Sequence, residues 1–150
     1  MQEKDQIISQ APQETHHLAK KILACLEEES LNVLLLQGNL GGGKTTFCQG
    51  VLTSLGAEGP FTSPSFVIMK KYSLPATSHF KNVYHIDCYR VDEQALLDLG
   101  WKEIIANQEN LVLVEWPEKI KAVWPKKYYL LEFELAGEHQ RKIKFTKMDA

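Results

Sequence analysis

The chain has 150 residues, 44% hydrophobic and 24% charged, which excludes a disordered or fibrous polypeptide and is expected to make one compact domain. A formal net charge of -2 excludes a global attraction to nucleic acid, so contact with RNA is expected only indirectly, through a local patch or a partner protein. No stretch approaches the roughly 20 apolar residues of a membrane span and Met1–Pro12 has no apolar signal core, so a cytoplasmic protein without membrane contact is expected.

In chain order, Leu18, Ala19, Ile22, Leu23 and Leu26 recur at helical spacing, which predicts an amphipathic helix over Glu14–Glu29 with Thr15 as N-cap. Leu31–Leu36 is a short, unbroken apolar run of the kind found in a strand buried on both faces of a parallel sheet. Glycines follow, then a second helix from Thr45 to Leu55, stopped by Gly56. Gly59–Ser65 reads as a loop leading into an extended segment, Phe66–Tyr72. Asn82–Asp87 reads as a strand, and Asp92 is placed to cap a short helix that runs to Leu99 before Gly100. Leu111–Val114 is a second apolar strand, ending in Glu115, Trp116 and Pro117. Tyr128–Leu135 and Arg141–Phe145 alternate and read as an antiparallel pair at a sheet edge. The fold class is α/β: a P-loop NTPase fold with a mostly parallel central sheet, flanking helices and an antiparallel edge. Cys25, Cys48 and Cys88 lie in apolar periodic segments, match no zinc spacing, and are expected to be buried, reduced thiols.

The chemistry sits in Gly38–Thr45, GNLGGGKT, which fits G-x-x-x-x-G-K-[ST] between a buried strand and a helix. Glycines let backbone N–H groups turn inward around phosphates, and the following helix adds the positive end of its dipole. Lys44 supplies a mobile charge toward the β- and γ-phosphates, and the Thr45 hydroxyl is suited to ligate Mg2+. The bland reading, a glycine-rich turn that merely joins strand to helix, is disfavoured by the flanking strand and helix pattern.

Magnesium takes oxygen ligands, which directs attention to acids at strand ends. Glu115 and Asp87 both end apolar strands at the carboxyl edge, where α/β proteins bind ligands, and each is weighed against a solvated acid. His85 reads as a hydrogen-bonded structural histidine rather than a general base, and His16 and His17 as surface residues. Trp116 either packs against the site or fills core. Thr62, Ser63 and Ser65 form either a switch-like loop whose hydroxyls reach the γ-phosphate or an ordinary Ser/Pro turn.

GNLGGGKTTF, TSPSF, YHIDCYR, the short acidic helix with DLGW, and LVEWPE together resemble the ordered motif set of the TsaE (YjeE) family, small bacterial ATPases that act in tRNA threonylcarbamoyladenosine formation. The resemblance runs from about Leu34 to Pro117 and implies ATP and Mg2+ as ligands. It implies a nucleotide cradle of Gly38, Leu40, Gly41, Gly42, Gly43, Lys44, Thr45 and Thr46 beside Trp116, with metal on Thr45, Glu115 and Asp87. Asp87 and Lys44 would assist hydrolysis, and contacts from the N-terminal segment, Glu118 and Arg141 would complete the site. It also implies TsaB and TsaD as partners, with tRNA met only through them. Asn39 stands where the family usually has Asp, and Ser65 where it more often has Thr.

Three other readings compete. A small-molecule kinase would need several guanidinium groups, and the sequence holds only Arg90 and Arg141. A GTPase would need an N-K-x-D segment, which does not follow the second acidic strand. A nucleotide-gated binding module would use ATP to arrange a partner surface, with hydrolysis incidental.

Overall fold

A computed structural model describes residues 2–39, 43–61 and 68–149, with side chains from Gln6 onward. Seven strands form one sheet in the order β1-β7-β6-β2-β5-β4-β3: β1 Gln2–Ser9, β2 Val33–Gly38, β3 Met69–Ser73, β4 Asn82–Asp87, β5 Asn110–Glu115, β6 Lys127–Leu135 and β7 Arg141–Asp149. The centre is parallel, since β2 runs parallel to both β5 and β6 and β5 parallel to β4. Both margins are antiparallel, β3 on β4 at one side and β1 on β7 at the other.

Parallel central strands are covered on both faces, and the leucine and valine runs divide accordingly. From β2 and β5, Leu34, Leu36, Leu111 and Leu113 face helix α1 (Pro12–Glu29) and helix α2 (Lys44–Ser54). The alternating residues Val33, Leu35, Val112 and Val114 face helices α3 (Glu93–Asp98) and α4 (Trp101–Ala106) with the 3-10 segment Pro117–Val123. Trp101 is fully buried in that second core, and its indole N–H donates to the Val123 carbonyl at 2.9 Å.

Several expectations are corrected. The first helix begins at Pro12, the residue type suited to a first turn, and Thr15 lies inside it rather than capping it. Thr15 is buried and its hydroxyl meets Ser9 Oγ at 2.7 Å. The polar N-terminus is strand β1, whose partner comes from the far end of the chain, so no local periodicity announces it. The C-terminal hairpin is therefore internal: β6 pairs with β2 and β1 takes the edge beyond β7. After Gly100 the chain starts a further helix, α4, with Gly100 at φ 89 as its N-cap. Asp92 does cap α3, accepting from the Ala95 N–H at 2.8 Å. Phe66 lies outside the described residues, and the observed strand β3 starts at Met69. Cys48 and Cys88 are buried as expected, but Cys25 is exposed because it falls on the outer face of α1.

At the amino end of the parallel strands, Asn32 holds three turns together. Its side-chain amide donates to the carbonyls of Ile105, Asn107 and Asn110 at 3.1 to 3.3 Å from a buried position. Replacing that donor by a carboxylate would aim negative charge at three carbonyl oxygens. Asn32→Asp is therefore expected to destabilise by more than Asn32→Ala, itself costing about 1–3 kcal/mol, as read from urea denaturation midpoints. Burial raises the Cys48 thiol well above its ordinary range and, with Asp87 and Glu118 nearby, pushes Cys88 up to about 12. Iodoacetamide at neutral pH is thus expected to label Cys25 on the folded protein and to reach Cys48 and Cys88 only after denaturation, as mapped by peptide mass spectrometry.

Candidate functional site

Strands β2, β4 and β5 all end at the same edge of the sheet because they are parallel, and that edge delivers Gly38, Asp87 and Glu115 side by side. In the β4–β5 register Asp87 is the partner of Glu115. Helix α2 starts beside them with Gly43 as N-cap at φ 102, a conformation in which a Cβ would be strained. Gly38, at φ 145, is fixed by sterics as well: a Cβ there would stand 2.4 Å from the Phe133 carbonyl oxygen of the adjoining strand.

These ends surround a cavity of about 720 Å³, a size suited to a small organic ligand. Gly43, Lys44, Thr45, Thr46, Asp87, Glu115, Trp116 and Arg141 all line it. Glu118 does not belong to that lining. Both of its carboxylate oxygens are buried without a hydrogen-bond partner among the described residues, and its charge acts on Lys44. Leu40, Gly41 and Gly42 of the glycine loop, and Thr62, Ser63 and Ser65, lie outside the described residues.

Lys44 is the electrostatic centre. It is only 5% exposed; its ammonium donates to the Gly38 carbonyl at 2.6 Å and sits 3.7 Å from the centroid of the Trp116 ring. Burial lowers its pKa, while Glu115, Glu118 and Asp87 pull in the opposite direction. Lys44 thus faces three carboxylates from a buried position, while Arg90 and Arg141 add positive charge from the cavity wall.

Glu115 is 4% exposed and accepts from, or shares a proton with, His85 Nε2 at 2.6 Å; His85 is 3% exposed. His85 therefore forms the buried hydrogen bond read from the sequence, and its partner is the acid at the end of the next strand. Asp87 accepts from the Tyr89 N–H at 2.9 Å, which orients its carboxylate at the strand end. Thr45 lines the cavity from the first turn of α2, exposed to solvent. A hydroxyl and two carboxylates around one space form an all-oxygen donor set, and such a set fits a hard cation such as magnesium.

Two non-glycine residues of the wall have left-handed backbones: Trp116 at φ 60 and Ile68 at φ 57. Each is expected to cost of order 1–3 kcal/mol, a strain typical of sites where side chains must be aimed. At Trp116 the turn lays the indole over Lys44, with the exposed Tyr89 ring packed 4.9 Å away. Trp116 both lines the cavity and packs, partly buried, against the second core, so the two sequence readings of it are combined.

The resemblance implied contacts from the N-terminal segment without naming residues there, and the structure supplies them. Ser9, Gln10, Ala11, Pro12 and Thr15 line the cavity from the β1–α1 junction, and His139 joins Arg141 from the β6–β7 turn. Tyr89 and Arg90 line it as well, so both arginines of the chain reach this cavity. Their signal was present in YHIDCYR, but the N-terminal wall depends on β1 pairing with β7 and has no local marker.

Comparison with known proteins adds family information. The family model described as "Threonylcarbamoyl adenosine biosynthesis protein TsaE" matches residues 9–143. A Bacillus subtilis (strain 168) protein named tRNA threonylcarbamoyladenosine biosynthesis protein TsaE is 36% identical over 138 residues, covering 90% of this chain and 80% of that one. A Rickettsia bellii protein of the same name is 33% identical over 143 residues, 94% of each chain. The crystal structure of Bacillus subtilis YdiB superposes with a TM-score of 0.76 at 29% identity, covering 99% of this chain and 88% of that one.

His85 is the hydrogen-bond partner of the buried Glu115 carboxylate, and its loss would leave that oxygen without this bond. His85→Ala is expected to destabilise the ligand-free protein by about 1–3 kcal/mol, with His85→Gln recovering part of that through its amide donor, as measured by chemical denaturation.

Proposed function

Because the chain belongs to the TsaE family of threonylcarbamoyl adenosine biosynthesis proteins, we propose that it is a single-domain Mg-dependent P-loop ATPase serving tRNA threonylcarbamoyladenosine formation, with slow turnover accelerated by TsaB and TsaD. The observation that carries this reading is the buried Lys44 ammonium, poised between the Gly38 carbonyl and the carboxylates of Glu115 and Asp87 at the start of α2.

The residues divide the work as follows. Lys44 exchanges the Gly38 carbonyl for phosphate oxygens, trading a neutral acceptor for an anionic one, and so gains a stronger charge-assisted bond. Gly43, Thr45 and Thr46 present the amino end of α2 to the phosphates. Thr45 and Glu115 would hold magnesium, with the His85 hydrogen bond keeping the Glu115 carboxylate aimed. Held by these residues, magnesium would supply positive charge to offset the negative charge of the triphosphate. Asp87, fixed by the Tyr89 N–H, orients the attacking water and takes its proton. Trp116, held by backbone strain and the Lys44 contact, closes the site against bulk solvent. The β1–α1 junction and Arg141 supply the wall for the rest of the nucleotide.

The location fits the same reading. Among the described residues no helix is long and apolar enough to cross a membrane. The function proposed here is cytoplasmic, with tRNA reached through the partner proteins.

The presence of both Arg90 and Arg141 in the cavity wall favours one alternative, phosphoryl transfer to a small acceptor. Phosphate release undiminished by candidate acceptors would set that alternative aside.

Lys44→Ala is expected to weaken ATP binding about 10- to 100-fold in calorimetry, the worth of one charge-assisted contact. Asp87→Ala is expected to bind ATP normally yet lose about 10²–10⁴ in turnover. Unchanged nucleotide affinity in Lys44→Ala would refute the proposed binding mode. Reconstituted tRNA modification with TsaB and TsaD, read by nucleoside mass spectrometry, is expected to require this chain and ATP. Repeated cycles supported by Asp87→Ala would instead identify a nucleotide-gated binding module.

A further inference from the structure

We propose that Cys48, His85 and Glu115 form a buried site for one thiophilic divalent cation of the zinc class, set beneath the floor of the nucleotide cavity. Their donor atoms, a sulfur, an imidazole nitrogen and a carboxylate oxygen, all lie within 4.8 Å of one another, and all three residues are buried. The fold creates the trio. His85 and Glu115 lie two registers apart along the parallel β4–β5 pair, where His85 is opposite Leu113 and Asp87 opposite Glu115. Leu113 belongs to the core under α1 and α2, so His85 and Glu115 project to the same side, where α2 delivers Cys48 one turn after Lys44.

The donor set selects the metal. Magnesium binds oxygen, whereas thiolate, imidazole and carboxylate together suit zinc, at bond lengths of roughly 2.0–2.3 Å. Tetrahedral ligands at those lengths stand about 3.3–3.6 Å apart, so the His85–Glu115 hydrogen bond of 2.6 Å opens by about 1 Å as the cation replaces the shared proton. The sulfur closes by a similar amount. The thiol proton leaves to solvent and the imidazole proton moves from Nε2 to Nδ1, so a neutral imidazole, a thiolate and a carboxylate hold the ion and the two anions balance its double charge. Without metal the thiol stays neutral, since burial and the Glu115 charge both disfavour the thiolate. Glu115 lines the cavity and gives the ion its path and its open fourth position.

The site shares Glu115 with the proposed magnesium site, so the two metals exclude one another. This antagonism, unlike the binding itself, rests on the proposed ATPase function. Lys44 also acts on Glu115 and Cys48, and its ammonium opposes the added cation.

The test uses chelator-treated, nucleotide-free protein carrying Cys25→Ser, which removes the exposed thiol. Titration with Co2+ alone is expected to saturate at one equivalent with a thiolate-to-cobalt charge-transfer absorption, and Zn2+ to displace it. Cys48→Ala is expected to abolish the absorption and weaken Zn2+ binding at least tenfold in calorimetry, with a normal thermal melt and basal Mg-ATP hydrolysis retained. Lys44→Ala is expected to tighten Zn2+ binding. Absence of the sulfur absorption, or equal Zn2+ affinity in Cys48→Ala, would overturn the proposal. Zn2+ is expected to inhibit hydrolysis by the parent and not by Cys48→Ala; equal inhibition of both would overturn the sharing of Glu115. Protein with the cobalt spectrum but no ATP hydrolysis would refute the ATPase reading and leave the metal site standing.

Discussion

A buried ammonium at the start of α2 governs this molecule. Lys44 has one short hydrogen bond, to the Gly38 carbonyl, and one aromatic face, Trp116, with three carboxylates around it. A charge removed from water is costly unless it is paired and hydrogen-bonded. The surrounding architecture reads as a means of holding that charge ready. β2 ends at the carbonyl it needs, the Glu115–Trp116 turn brings both a carboxylate and a ring, and α2 fixes its Cα at the first turn. In the proposed function an anionic ligand would give this ammonium its further partners.

The strain is located consistently with this. Left-handed backbone at Trp116 and Ile68 is anchored in each case by a backbone hydrogen bond: the Trp116 N–H bonds to the Leu36 carbonyl, and the Ile68 carbonyl accepts from the Asp87 N–H at 2.7 Å. The rigid end of the sheet lies opposite, where Asn32 and Asn110 knit the strand starts with buried amides. A stiff base and a strained rim make a site whose side chains are aimed before any ligand arrives.

Acids and histidine at the strand ends are one coupled system. His85 reaches Glu115 across the β4–β5 pair, Glu115 acts on both Lys44 and Cys48, and Asp87 sits one register along. Any cation that enters changes the balance for all of them. Hard and soft metals would draw on different members of the set while competing for Glu115.

The sequence by itself determined the local elements and the chemistry they carry. GNLGGGKT between an apolar run and a helix, Asp87 and Glu115 at strand ends, and the Asp92 cap depend on short-range spacing, and strand β2, helix α2, the two strand ends and the cap lie where that spacing put them. Only the tertiary structure decided what joins across the sheet. Strand β1 exists because β7 offers it an edge, and without that pairing Ser9–Pro12 would form no wall to the cavity. Cys48 became one of three clustered donors, Cys25 turned outward, and Glu118 was set apart from the cavity lining. Periodicity tells which face of an element is apolar, but strand order and register decide which polar residues on different elements share a space, and those are properties of the whole chain.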